Sequence, residues 1–280
     1  MPRNPRTTTK PKKSVPAKAP TAPEYPRNHD RYVVPGLQRG IEALHLFNRS
    51  TREMTLTAIG EALSLSRSAA FRLLYTLEFL GLVERDPVHK TYRLTTKVLS
   101  LGFEYLASLD VVEISRPYLE TLRDETGASS HLAIREGQDI IYVARVPTRH
   151  PMTSTAVLGG KRPAHATSMG RVLLCELSAD EIRALYRTTP LKAYTEQTPT
   201  SIDALLAVLK QDRARGCVVS RGSFEQGGSS IAAPIRNARG EIVAAIEIAG
   251  PNSAFDLSKL ETQLKDSVCK TAELISARMS

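Results

Sequence analysis

Ser68, Phe71, Arg72 and Tyr75 recur at helical spacing and put a hydroxyl, a guanidinium and two rings on one face. A guanidinium is a flat fork of five donors, and a hydroxyl both gives and accepts a hydrogen bond. Turned outward from a rigid helix, such groups match phosphate oxygens and guanine edges in a DNA major groove. A second set lies in Ala164-His165-Ala166-Thr167-Ser168-Met169-Gly170-Arg171, where two hydroxyls precede a helix whose first N–H groups favour an anion. Ser229-Ser230 within 226–233 form a third. Placed polar groups in apolar walls make a small-molecule pocket, and ordinary capping and turn chemistry is the plainer alternative.

Catalytic patterns are missing. The chain has no GxxxxGK[ST], GxSxG, HExxH or dinucleotide GxGxxG. His131, His150 and His165 have no nucleophile marked beside them, and a lone histidine is more often structural. Cys175, Cys217 and Cys269 are far apart and form no CxxC, so neither a disulfide framework nor a zinc site is expected. No cofactor or metal is expected, and the cysteine usage fits a reducing, cytoplasmic compartment. No apolar run is long enough to span a bilayer.

The outward face at 68–75 needs a scaffold, and the flanking pattern supplies one. Leu56, Ile59 and Leu63 mark one helix, with Thr55 as its cap. Ser64-Leu65-Ser66 breaks it, and Ser66 caps the next. That second helix turns Ala70, Leu73, Leu74, Leu77 and Leu80 inward and stops at Gly81. Strands at 82–85 and 91–94 flank a Pro-containing loop whose tip carries His89 and Lys90, with Arg93 nearby. An earlier helix, 36–47, adds Ile41, Leu44 and Phe47 to the core. The unit reads as a winged helix-turn-helix over 34–95; a three-helix bundle with a solvated charged face is the blander alternative.

Charge agrees with nucleic-acid binding. Residues 1–30 hold seven Lys/Arg against two Asp/Glu, and residues 31–95 nine against six, whereas 96–280 are almost balanced at twenty-two against twenty-one. The excess sits where phosphate attraction would use it. The tail, 1–33, is rich in Pro, Lys, Thr and Ala and is expected to be disordered. It reads equally as a mobile phosphate-contacting arm or a solubilising tail.

Beyond the wing, residues 96–109 read as a linker helix with Val98, Leu101, Tyr105 and Leu109 on one side, suited to pairing across a dimer. Residues 110–280 follow as a second domain. Its pattern gives a helix at 112–125, a hairpin of strands at 129–135 and 140–146, helices at 168–176, 179–187 and 202–215, strands at 217–220, 230–235 and 242–248, and an amphipathic end at 257–279. Strands interleaved with helices make an α+β sheet domain.

Several blocks carry a likeness. GLQRGI at 36–41, TLTAIGEALSLSRSAAFRLLYTLEFLGLV at 55–83, YRLTTKVLSLG at 92–102, IIYVARV at 140–146, RPAHATSMGRVLL at 162–174 and SSIAAPIRNARGEIVAAIEIAGP at 229–251 resemble the IclR family of bacterial transcriptional regulators. RVPTRHPMTS and the ATSMGRVLL block look most like its Pca/Pob branch, whose members control catabolism of protocatechuate, 4-hydroxybenzoate and related aromatic acids.

The resemblance implies an N-terminal winged helix-turn-helix, a linker helix and a C-terminal effector-binding domain of GAF-like fold. It implies homodimers or dimers of dimers on near-palindromic double-stranded DNA, RNA polymerase as a further partner, and a small-molecule effector: an aromatic acid or dicarboxylate. Carried over by position, the DNA-binding residues are Ser66, Arg67, Ser68, Arg72, Tyr75 and Lys90. The effector-binding residues are Ser154, Arg162, Ser168, Met169, Ser220, Gly228, Ser230, Glu247 and Ala249, with Arg162 or Arg221 as a carboxylate partner.

The chain also departs from the pattern. Ser220-Arg221-Gly222-Ser223 lacks the acidic residues frequent there, and Gly227-Gly228-Ser229 stands for Gly-Leu-Arg. Glu247 replaces a small polar residue, and His165 stands where Tyr is common. An effector-independent nucleic-acid binder and an enzyme with an appended DNA-binding module stay open as alternatives.

Overall fold

The computed structural model describes residues 32–48, 50–148 and 155–279. Most of the basic tail, His150 and Ser154 lie outside the described residues. The chain divides into two compact units, Met1–Phe103 and Glu104–Ser280.

In the first unit α1 is Pro35–His45, β1 Met54–Thr55, α2 Leu56–Ala62 and α3 Arg67–Phe79; β2 (Val83–Arg85) and β3 (Thr91–Leu94) complete it. Side-chain caps start two of the helices: Thr55 accepts from the Ala58 N–H and Ser66 from the Ala69 N–H. Ser64 turns the corner between them in the left-handed region, φ 54°. The strands form one antiparallel sheet in the order β1-β3-β2; the short β1 has no period-two signal of its own.

The core joins Ala43, Phe47, Ile59, Leu63, Leu74, Leu77, Val83 and Tyr92. Two expected members are outside it, since Ile41 and Leu80 are both 46% exposed. Gly40, not Ile41, faces Leu73 and Leu77 across the α1–α3 contact. Leu80 comes after the last turn of α3, where the chain swings away at Gly81, φ 70°.

Helix α4 is Lys97–Ala107, and none of its residues is buried. Leu99, Leu101, Phe103 and Tyr105 are all exposed. Of the expected apolar side, Leu101 and Tyr105 are exposed, Val98 is half-buried and Leu109 packs against the core of the second unit.

The second unit contains α5 (Asp110–Thr126), β4 (Ser129–Glu136), β5 (Asp139–Val146), β6 (Lys161–Pro163), α6 (Ser168–Leu174), α7 (Ala179–Leu185), α8 (Ile202–Arg215), β7 (Val218–Arg221), β8 (Gly228–Arg236), β9 (Ile242–Pro251) and, after short 3-10 and π turns, α9 (Lys265–Ser276). Six strands form an antiparallel sheet in the order β6-β5-β4-β9-β8-β7. Gly127 and Gly216 end α5 and α8 in the left-handed conformation.

Strand alternation splits the sheet into two faces. Leu132, Ile231, Ala233, Ile246 and Ile248 pack with Leu119 and Leu122 of α5 and Val268 and Ile275 of α9. Ala133, Val218, Ala232 and Ala245 pack with Met169 and Leu173 of α6 and Leu205 and Leu209 of α8. On this second face Arg171 and Asp212 form a buried two-pronged ion pair, 2.8 and 2.7 Å, that ties α6 to α8. The fold is the expected α+β type, with helices on both faces of one sheet.

Candidate functional site

Helix α3 turns a polar, cationic face to solvent. Ala70, Leu74 and Leu77 are buried on one side, while Arg67, Ser68, Arg72 and Tyr75 are exposed on the other. Arg67 and Arg72 form no ion pair among the described residues, so their forks are open to solvent. Phe71 and Tyr75 lie with ring centres 6.2 Å apart and stiffen the face between them. Ser66 is exposed too, but its hydroxyl accepts from the backbone as the cap of α3.

At the wing tip Asp86 gathers the Val88 and His89 N–H groups and the His89 ring. The ring's hydrogen bond leads the backbone ones in holding the Asp86 carboxyl down to about 2, and the same contact raises His89. Lys90 follows in the left-handed region, φ 55°, and is exposed. Arg93 pairs with Glu84 across the hairpin at 2.6 Å, whereas Lys90 at the tip and Arg85 on β2 form no ion pair among the described residues.

The second unit holds a cavity of about 440 Å³ over the α6 face of the sheet. Period two selects its floor: Ser220 of β7, Ser230 of β8, and Glu247 and Ala249 of β9 all point to it. Ser168 at the start of α6 closes one side, and Arg162 of β6 another. Gly228 lets the chain pass close to the Glu225 carbonyl, 3.2 Å from where a Cβ would stand. Ser220 donates to Ser223 at 2.9 Å, and Ser229 donates to Asn252 at 2.6 Å.

Two expected members do not reach this cavity. Met169 is fully buried in the core, since one step along α6 from Ser168 turns a side chain by about 100°. Arg221 follows Ser220 on β7 and so points to the opposite face, where its guanidinium donates to the Leu257 carbonyl. Arg162 is the arginine at the cavity, its guanidinium 5.5 Å from the centre of the Phe224 ring. His165 is also off the cavity wall; its ring meets the Lys192 carbonyl at 3.0 Å and lies against Tyr186 and Tyr194.

The geometry adds Tyr142, Thr155, Ser223 and Phe224 to the lining. Tyr142 was legible only as a strand residue, and Phe224 sits in a loop with no pattern. Burial, helped by the Glu247 charge, pushes the Tyr142 phenol well above its usual value, so it stays a donor. Among the described residues no group of three or more His, Cys, Asp or Glu is placed to hold a metal ion. Among the described residues no helix is long and apolar enough to cross a membrane.

Residues 36–87 match the family model of the IclR helix-turn-helix domain, and residues 103–277 that of the bacterial transcriptional regulator IclR C-terminal domain. The Pca regulon regulatory protein of Pseudomonas putida is 35% identical over 226 residues, 80% of this chain and 77% of its own length. The solved IclR of Thermotoga maritima is 26% identical, with a TM-score of 0.74, covering 87% of this chain and 98% of that one. An IclR homolog of Microbacterium hydrocarbonoxydans complexed with 4-hydroxybenzoate shares the fold at 23% identity and a TM-score of 0.74, covering 86% of this chain and 98% of that one. The named relatives are transcriptional regulators rather than enzymes. With a helix-turn-helix that turns its cationic face outward and a separate domain folded around a polar cavity, the chain belongs to the IclR family of DNA-binding transcriptional regulators.

Proposed function

We propose that this regulator reads a near-palindromic operator as a homodimer or pair of dimers and controls a catabolic operon in response to a small acid bound in the 440 Å³ cavity. Arg67, Ser68 and Arg72 meet base edges and phosphates from α3, Tyr75 packs against the groove, and Lys90 contacts backbone from the wing. Arg162, Ser168, Ser220, Ser230 and Glu247 hold the effector. The likeness to the Pca regulon regulatory protein supports a catabolite as the signal. Effector binding shifts DNA affinity only to the extent that it favours one arrangement of the protein over another.

The open, unpaired guanidiniums opposite the Leu74/Leu77 seam carry this reading. A mobility-shift titration on the operator beside the gene tests it. Arg72→Ala is expected to weaken binding by about 1–3 kcal/mol, roughly five- to 150-fold in Kd, with the fold unchanged by circular dichroism. Unaltered affinity removes α3 as the reading element.

A further inference from the structure

The floor of the cavity already holds an anion of the protein's own. Glu247 is 4% exposed. Its Oε2 accepts from the Ser168 hydroxyl at 2.7 Å, and that hydroxyl accepts from Ser230 at 2.9 Å. Ser168, in the block the sequence marked as a place for an anion, is thus bonded to a side chain 79 residues away. Oε1 is 3.2 Å from His131 Nδ1, but both ring nitrogens of His131 are without a hydrogen-bond partner, so the contact is not aligned as one. A carboxylate oxygen accepts more than one hydrogen bond, which leaves Glu247 with acceptor capacity.

The opposite charge is at the other edge. Arg162 is the one basic side chain among the lining residues described. It lies on β6, three strands from β9 in the sheet order, about 14 Å of lateral backbone spacing. Tyr142 and Phe224 provide ring walls. The cavity thus has a cation at one edge and a hydroxyl-braced carboxylate at its floor, with the exposed Glu225 as a further carboxylate in its lining.

Resting on the reading of this cavity as the effector site, we propose that Glu247 sets its specificity. The effector is a ring-sized monocarboxylic acid whose acid group pairs with Arg162 and whose far end gives a hydrogen, from a hydroxyl or an amine, to Glu247. A second carboxylate at that end is refused, because it meets the buried Glu247 carboxylate as a like charge.

Calorimetric titration of the full-length protein with benzoate, 4-hydroxybenzoate and terephthalate tests this. The native protein is expected to bind 4-hydroxybenzoate at least tenfold more tightly than either of the others. Glu247→Gln, whose amide also donates, is expected to gain at least tenfold for terephthalate and to lose most of the preference for the hydroxyl. Glu247→Asp keeps the charge and is expected to keep rejecting terephthalate, and the native ranking stands by itself if the glutamine variant does not fold. Terephthalate binding to the native protein as tightly as 4-hydroxybenzoate overturns the proposal, as does an unchanged ranking in Glu247→Gln or no binding of any of the three. Operator binding by the ligand-free protein and its loss in Arg72→Ala report separately on the regulator reading.

Discussion

His165 keeps its place by staying neutral. Burial is the larger influence and holds its pKa below the ordinary 6.5, against the pull of the Lys192 carbonyl. Above about pH 6.5 both the folded and the unfolded chain carry the neutral ring, and its packing contribution is intact. As the pH falls below 6.5 the unfolded chain takes up the proton first, so stability is lost through the interval down to the lowered folded value. The urea midpoint is therefore expected to drop between about pH 7.5 and 5.5, and to drop less in His165→Gln. An equal drop in the two proteins would mean that other groups carry the acid sensitivity.

Helix α6 is seated by the absence of a side chain. A Cβ on Gly170 would fall on the backbone of Ala164, which no rotamer change relieves. The helix is held from its other side by the Arg171–Asp212 pair, so it has little room to shift. Gly170→Ala is expected to destabilise the second unit by about 1–3 kcal/mol or more, read as a lower denaturation midpoint. Because Ser168 rides on the same helix, its 2.7 Å contact with Glu247 should be lost with it, and effector affinity should fall by more than the stability alone implies. A normal midpoint would show that the loop at Ala164 yields instead.

At the scale of the molecule, α4 is the exposed element. Leu99, Leu101, Phe103 and Tyr105 are 53–71% exposed on one short helix, more apolar surface than an isolated element keeps uncovered. A second copy is the proposed cover, since a two-fold pairing presents the same patch to itself and also places two reading helices on a palindrome. Leu101→Glu with Phe103→Glu is expected to lower the mass seen in sedimentation to that of the single chain and to weaken operator binding strongly. An unchanged oligomer would move the interface elsewhere. The charge excess before residue 96 makes the DNA affinity of either form salt-sensitive.

What the residues determine alone is what acts over a few positions. Thr55 and Ser66 as caps, Gly81, Gly127 and Gly216 as stops, the apolar seam of α3 and the 129–146 hairpin all follow from local hydrogen bonding and local periodicity. The helix-turn-helix was legible for that reason, and so was the outward turn of Arg72. The cavity was legible only in part. Ser168 and Met169, or Ser220 and Arg221, are neighbours in sequence and differ in function only by which way a one-residue step points. That is decided by how α6 and β7 dock on the sheet. The two-residue β1 and three-residue β6 exist because partners hold them. Cys217 and Cys269, far apart in sequence, are brought into one core with α5 and α9. The meeting of Glu247 with Ser168 has the same origin, because strand register and helix docking join distant residues that no local pattern links.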